Sequence, residues 1–155
     1  MITLIQRVTQ AEVRVGGQCI GAIGPGILAL VGITPGDGPA EASRLLQRIL
    51  GYRIFADAQG RMNLDLRQRG GGLLLVPQFT LAADTRKGLR PGFSTAAPPS
   101  QAQPLFEALV AEAQRLHQQV ACGRFGADMQ VGLVNDGPVT FLLHSGETGP
   151  DAPAN

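Results

Sequence analysis

Tryptophan is absent from this sequence, tyrosine and lysine occur once each, and histidine and cysteine occur twice each. Each scarcity excludes a class of chemistry. Cys19 and Cys122 lie far apart, with no metal-ligand spacing and no disulfide framework, as expected of two reduced thiols in a cytoplasmic protein. His117 and His144 belong to no HxxH or HExxH pattern, and no CxxC is present, so no metal site and no metal cofactor are expected. Neither histidine accompanies a Ser or Cys in a nucleophile-elbow context, which leaves a Ser-His-Asp triad without support. Lys87 is followed by Gly rather than Ser or Thr, so there is no phosphate-binding P-loop. Charged residues make up 16% of the chain, against about 25% in an average domain, and the net charge is +1. That balance excludes a charge-driven disordered chain and lacks the basic face of a protein that wraps duplex DNA. If RNA is bound, it should be a short single-stranded piece held by few phosphate contacts. No apolar run approaches the ~18 residues that span a bilayer. The opening residues, Met1 to Arg7, have no basic region before their apolar part, so no signal peptide is expected.

What is present suits one globular domain. The 155 residues are 44% hydrophobic, enough for a core without staples, and 21 Gly with 11 Pro promise many turns. Ile2, Leu4, Val8, Val13 and Val15 stand among polar residues, and Gly16-Gly17 then signals a hairpin to a partner strand at 20–23. The continuous apolar run Ile27 to Ile33 fits a strand buried on both faces. Asp37-Gly38-Pro39 caps a helix whose residues Ala42, Leu45, Leu46, Ile49 and Leu50 fall on one face, and Gly51 ends it. A short strand is expected over 52–55, and a second buried strand, 73–76, follows Gly70-Gly71-Gly72. Residues 82–99 read as an irregular loop. A second helix is expected over 101–119, with Pro104 tolerable only near its first turn. Two strands, 128–134 and 139–144, flank Asn135-Asp136-Gly137-Pro138. This order predicts an α+β domain over residues 1–144, helices packed on a sheet, and a frayed Gly- and Pro-containing tail over 145–155.

Two segments stand out. Val76-Pro77-Gln78-Phe79-Thr80-Leu81 follows a buried strand; Pro77 halts ladder pairing there. The segment is either an edge strand leaving the sheet or a rim where backbone N–H groups and the Gln78 amide face a ligand. In Asn135 to Thr140 the Asp-Gly pair reads as a hairpin turn, but Pro138 then begins a strand without a donor N–H.

Together, in this order, these segments resemble the D-aminoacyl-tRNA deacylase family from Met1 to about Leu143. The resemblance also includes Gln6-Arg7-Val8, Gly51 to Phe55, Met62-Asn63-Leu64, Gly123-Arg124-Phe125 and Asp128 to Val131. It implies hydrolysis of the ester that joins a D-amino acid, or misattached glycine, to the terminal adenosine of tRNA. It implies a three-layer α/β fold of two β-sheets and a helical layer around a barrel-like core. It further implies a homodimer with its sites at the subunit interface and no metal. Gly137-Pro138 resembles the family's cis dipeptide, inserted into the partner's pocket, and Arg7 the residue that braces it. Gln78, Phe79 and Thr80 match the strand-end motif near the scissile ester; Phe125 and Met129 match positions near the adenosine pocket. Position 77, often Ser in the family, is Pro here. An animal branch with relaxed chiral selection also has Pro there but lacks the phenylalanine kept here as Phe79.

The chemistry implied is light. An aminoacyl ester is reactive, so positioning and oxyanion stabilisation by N–H groups near Phe79 and Thr80 can suffice. Thr80 has no adjacent base in sequence, so it reads as a positioning residue, with nucleophile the alternative. The family resemblance assigns help for the attacking water to the tRNA's own 2′-OH. Rigid carbonyls from Gly137-Pro138 would accept the substrate's amino protons and leave room for hydrogen alone on the L side. The competing readings are a non-catalytic binder of the tRNA acceptor end and a Thr80-dependent hydrolase of small esters.

Overall fold

The computed structural model describes residues 1–146. Among these residues are eight strands: β1 (Ile2–Val15), β2 (Gln18–Ile23), β3 (Gly26–Gly32), β4 (Phe55–Ala56), β5 (Met62–Leu64), β6 (Gly72–Pro77), β7 (Val120–Cys122) and β8 (Gln130–His144). Three helices accompany them: α1 (Pro39–Gly51), the single turn α2 (Leu66–Arg69) and α3 (Pro99–Leu116). The fold is the mixed α/β one that the sequence predicts. Its main sheet has six strands, and β4 pairs with β5 as a second, small sheet.

β1 is the backbone of the main sheet. Its first half pairs antiparallel with β3 and its second half with β2, while β8 runs antiparallel along nearly its whole length. β3 continues into β6 and β6 into β7, both parallel. The sheet curls until β2 approaches β7, where a Cβ on Gly21 would stand 2.8 Å from the Cys122 carbonyl. The result is a nearly closed, barrel-like sheet. The Gly16-Gly17 turn works as expected: both residues have positive φ, 57° and 79°, which suits the tight two-residue hairpin.

The apolar runs of β3 and β6 are buried on both faces because they separate two apolar clusters. Ile27, Ala29, Leu73 and Leu75 face the helices, where Leu45, Leu46, Ile49, Phe106 and Leu109 cover them. The alternate residues Leu28, Leu74 and Val76 face the other way, onto Val8, Ala11 and Val13. α1 forms as its stripe predicts: Ala42, Leu45, Leu46, Ile49 and Leu50 are all buried. Pro39 occupies the first turn, and the Glu41 carboxylate accepts from the Gly38 N–H at 3.0 Å.

Several boundaries and one pairing differ from expectation. α3 begins at Pro99 rather than 101 and ends at Leu116 rather than 119. Pro104 therefore sits in the second turn, on the exposed side, where its missing N–H costs one helical hydrogen bond without a buried clash. His117 closes the helix, its ring nitrogen Nε2 lying 2.7 Å from the Gly71 carbonyl. The strand expected over 52–55 is shifted to Phe55–Ala56. The expected hairpin at 135–138 does not form: both flanking segments belong to β8 and follow β1. Gln6 pairs with Thr140 and Val8 with Asn135, so Arg7 alone faces the four residues 136–139. Asp-Gly does bend the chain here, but it makes a protruding bulge within one strand, because the alternation on both sides matches the same partner. Of the tail, Ser145 donates its N–H to the Met1 carbonyl at 3.0 Å; residues 147–155 lie outside the described residues.

Close backbone approach at one point sets the β3–β6 register. A Cβ on Gly26 would stand 1.9 Å from the Gly72 carbonyl oxygen, whereas one on exposed Gly24 meets nothing within 4 Å. Gly26→Ala should lower unfolding free energy in urea by about 2–3 kcal/mol. Gly24→Ala should stay within about 0.5 kcal/mol of the parent. Equal midpoints for the two variants would contradict this reading of the register.

Candidate active-site cleft and the bulge loop

A cleft of about 700 Å³ opens beyond the carboxyl ends of β3 and β6. Val31, Val76 and Pro77 form its floor, and Gln78 and Phe79 follow at its rim. Phe125 and Met129 form one wall; Phe93, Ala97 and Ala102 form another. The segment from Pro77 thus lines the rim of a cleft and is not an edge strand. Pro77 ends β6 opposite Val31, and the next residue, Gln78, donates its N–H to the Val31 carbonyl at 2.7 Å. The proline costs this ladder nothing: Gly72 and Gln78 donate toward β3, to Pro25 and Val31, while Leu73 donates to Gln119 on the β7 side, so a donor at position 77 would face away from β3.

After Gln78 the chain makes a 3-10 turn, Phe79–Ala82. The N–H groups of Phe79 and Thr80 open this turn and have no carbonyl within it to bond. The Gln78 side-chain amide donates to the Thr80 hydroxyl. Among the described residues no carboxylate or imidazole is paired with Thr80, so its hydroxyl is oriented but not deprotonated by a neighbour. Phe79 is 55% exposed, and its ring lies 5.2 Å from that of Phe93, which is 45% exposed. On the far wall Met129 fills space that Gly123 leaves free: a Cβ there would stand 2.8 Å from the Met129 sulfur. The Met129 sulfur also accepts from the Arg124 N–H at 3.3 Å. The ring of Phe125 packs 6.5 Å from that of Phe106.

Gln78, Phe79, Phe125 and Met129 are therefore brought together, with Thr80 tied to Gln78. Arg7, Gly137 and Pro138 form a separate cluster. The Arg7 guanidinium donates from Nη1 to the Ile54 carbonyl at 2.6 Å and from Nε to the Asp136 carbonyl at 2.9 Å. It also lies 3.5 Å from the Asp136 carboxylate. The Gly137–Pro138 peptide bond is cis. Gly137 has φ +144°, and a Cβ there would stand 2.6 Å from Val139 Cγ2 and 3.2 Å from Arg7 Nη2. Only glycine fits beneath the arginine. The tip, residues 136–138, is exposed.

Sequence reasoning left out Asn135 as a site residue. Its Oδ1 accepts from the Val139 N–H at 2.7 Å; its Nδ2 donates to the Val139 carbonyl at 3.2 Å and to Thr140 Oγ1 at 3.0 Å. It closes the neck of the bulge. The available signal was an Asn that opens a run of extra residues, where its side chain can mimic a ladder partner. Phe93 was also missed; nothing local to the irregular loop marks it. Among the described residues no three His, Cys, Asp or Glu side chains gather into a metal-binding group.

Residues 4–144 match the family described as D-Tyr-tRNA(Tyr) deacylase. The chain is 68% identical over 145 residues to a D-aminoacyl-tRNA deacylase of Azotobacter vinelandii (strain DJ), covering 94% of this chain and 100% of that protein. A solved structure named c-Myc DNA Unwinding Element Binding Protein has 36% sequence identity and a TM-score of 0.88, covering 99% of this chain and 100% of that one. A second, of a probable eukaryotic D-amino acid tRNA deacylase, has 16% identity and a TM-score of 0.78, covering 92% of this chain and 97% of that one. That last likeness bears on the fold alone.

Asn135→Ala should loosen the bulge without unfolding the sheet, because β8 stays paired with β1 on both sides of it. Each lost hydrogen bond is worth about 1 kcal/mol. Amide exchange at Val139, whose N–H loses its acceptor, should accelerate about tenfold or more. Unchanged protection at Val139 would show that Asn135 does not hold the neck.

Proposed function

The chain belongs to the D-Tyr-tRNA(Tyr) deacylase family, and from that premise we propose how its two residue clusters share one reaction. The activity is D-aminoacyl-tRNA deacylation, hydrolysis of the ester bond between a D-amino acid and tRNA. The cleft receives the terminal adenosine against the wall of Phe125 and Met129, which sets the ester beside Gln78, Phe79 and Thr80. The N–H groups of Phe79 and Thr80 bind the developing oxyanion. Thr80, oriented by Gln78, positions the substrate, and the neighbouring 2′-OH of the tRNA assists the attacking water. No metal takes part.

The bulge loop supplies stereochemical selection. Its Gly137 and Pro138 carbonyls accept the substrate's amino protons and leave space for hydrogen alone where an L side chain would lie. Glycine has no side chain to exclude, so glycyl-tRNA is cleaved too.

The observation that carries this reading is a separation. Arg7 pairs with Ile27 on β3, and Gln78 bonds to Val31 on the same strand. At ~3.3 Å per residue these anchor points are about 13 Å apart along β3, with further distance across the strands. This spacing favours a loop that serves an ester site other than its own chain's. A loop that is gripped at its neck by Arg7 and Asn135, yet exposed at its tip, suits insertion into a second copy. The outer edge of β8 supports the same reading: among the described residues β8 pairs only with β1, and it exposes Leu133, Val134 and Leu142. Long apolar edges of this kind are normally covered. We therefore read the protein as a homodimer with two composite sites, acting in the cytoplasm.

Two measurements test this. Purified protein should release D-tyrosine from D-tyrosyl-tRNA, and amino acid from glycyl-tRNA, while sparing L-tyrosyl-tRNA; prolonged chelation should leave the rates unchanged. Equal rates on the D and L esters would refute the selection mechanism. Retained D-deacylation by a pure 16.2-kDa monomer would refute the composite site.

Complementation is the sharper test. Gly137→Val, which spoils the loop, and Met129→Trp, which blocks the cleft, should each be inactive alone. Co-expressed and randomly paired, they should regain about a quarter of parental activity, because half of the dimers then hold one intact site of two. No recovery in verified mixed dimers would place loop and cleft of the same chain in the same reaction.

A further inference from the structure

The loop Asp84–Gly92 is rooted at the mouth of the cleft. Its two ends are joined by a pair of backbone hydrogen bonds: Asp84 N–H to the Gly92 carbonyl at 2.8 Å, and Gly92 N–H to the Asp84 carbonyl at 3.0 Å. Just before it lies the 3-10 turn that carries Phe79, and just after it Phe93; both rings line the cleft. The Thr95 hydroxyl, which donates to the Ala82 carbonyl, fastens the root a second time.

The loop carries three cations in nine residues, in a chain whose net charge is +1. They are not equivalent. Arg86 is committed: its Nε and Nη2 each lie 2.8 Å from an Asp84 carboxylate oxygen. Arg86 holds the Asp84 carboxyl below its usual range. Lys87 and Arg90 are exposed and, among the described residues, have no hydrogen-bond or ion-pair partner. Arg90 stands three residues before Phe93, so its Cα lies within about 11 Å of that of Phe93. Lys87 stands the same number of residues after Asp84.

From this placement we propose that Lys87 and Arg90 grip backbone phosphates of the substrate strand immediately before its terminal nucleoside, as a sequence-independent clamp. The proposal rests on the reading of the cleft as the seat of a tRNA 3′ end. The chain segments that lead into and out of this loop carry the half-exposed rings of Phe79 and Phe93, and aromatic faces combined with cations are how single strands are held without reading sequence. An acidic protein surface would explain the cations but not the paired rings. The Asp84–Arg86 pair occupies Arg86, which leaves Lys87 and Arg90 as the loop's cations available to phosphate.

The test compares substrates with and without phosphates. Lys87→Ala/Arg90→Ala should raise KM for D-tyrosyl-tRNA about tenfold. It should also flatten the dependence of log(kcat/KM) on log salt by about 1.4, since each single-strand phosphate contact contributes about 0.7. On 3′-O-(D-tyrosyl)adenosine, which has no phosphate, the ratio of variant to parent should stay near one. Arg69→Ala/Arg115→Ala, an equal loss of two charges before the amino end of β6 and near the far end of α3, should change neither. Thermal unfolding by circular dichroism checks that the double variant is folded.

A double variant that keeps the parental KM and salt slope on tRNA would overturn the clamp. So would an equal loss on both substrates, which would mean the loop shapes the cleft instead. A parent protein inactive on both substrates is a different result: it would overturn the deacylase reading itself.

Discussion

β1 is the constraint on which the remaining structure depends, because it is paired along both edges. One edge carries β3 and β2 in succession, and the other carries β8. A strand held on both sides cannot slip by one residue without turning its buried side chains to the wrong face. Ile5 and Val13 are fully buried and Val8 and Ala11 nearly so, which makes such a slip prohibitive. Arg7 is the point where this rigidity is transferred. Its side chain is 16% exposed, and its guanidinium ties the β8 bulge to the Ile54 carbonyl that precedes the small sheet. A side chain in the middle of a locked strand thus orients a surface loop, and the loop inherits the precision of the sheet.

The legibility of the sequence follows the range of the forces involved. α1 was readable because its five buried residues share one helical face within its 13 residues. The Gly16-Gly17 hairpin was readable because positive φ at adjacent positions demands glycine locally. The Asn135 to Val139 bulge was not. A turn signal within two alternating runs cannot say whether the runs pair with each other or with a third strand; the partner, β1, is more than 120 residues away. Pro104 misled for a related reason: the helix start is set by Pro99 and by packing against α1, not by the proline that the pattern penalises. At the site, residue types carrying family-like motifs were legible and came together as Gln78, Phe79, Phe125 and Met129. Phe93 and the neck role of Asn135 depend on tertiary placement and left only weak local marks.

The rim chemistry has a consistent physical logic. Pro77 lacks an N–H at a position of β6 that faces away from β3, so the ladder to β3 runs on unbroken to Gln78. The chain must then turn sharply, and the 3-10 turn leaves N–H groups without internal acceptors beside a partly apolar cleft. Such groups interact strongly with a developing negative charge because the surroundings compete poorly for it. With Thr80 unpaired to any base, the arrangement favours a reaction whose substrate is already activated. Aminoacyl esters meet that condition; amides do not.

Low charge fits the same logic. On the proposed function, nearly every tRNA that meets this protein carries an L-amino acid and must leave quickly. A surface rich in phosphate contacts would bind all tRNAs alike, since such contacts carry no information about the amino acid. A hydrophobic pocket tuned to one side chain would discriminate by only about 1–3 kcal/mol per methylene. Selection by a backbone wall avoids both limits. It adds no general affinity, it excludes through overlap of atoms, and it is indifferent to which D side chain points outward. Such a wall must be stiff, since a carbonyl that yields by an ångström admits what it should exclude. On the proposed function, the bulge loop has the features such a wall needs: Arg7 on one flank, Asn135 across the neck and a glycine that fits directly under the guanidinium.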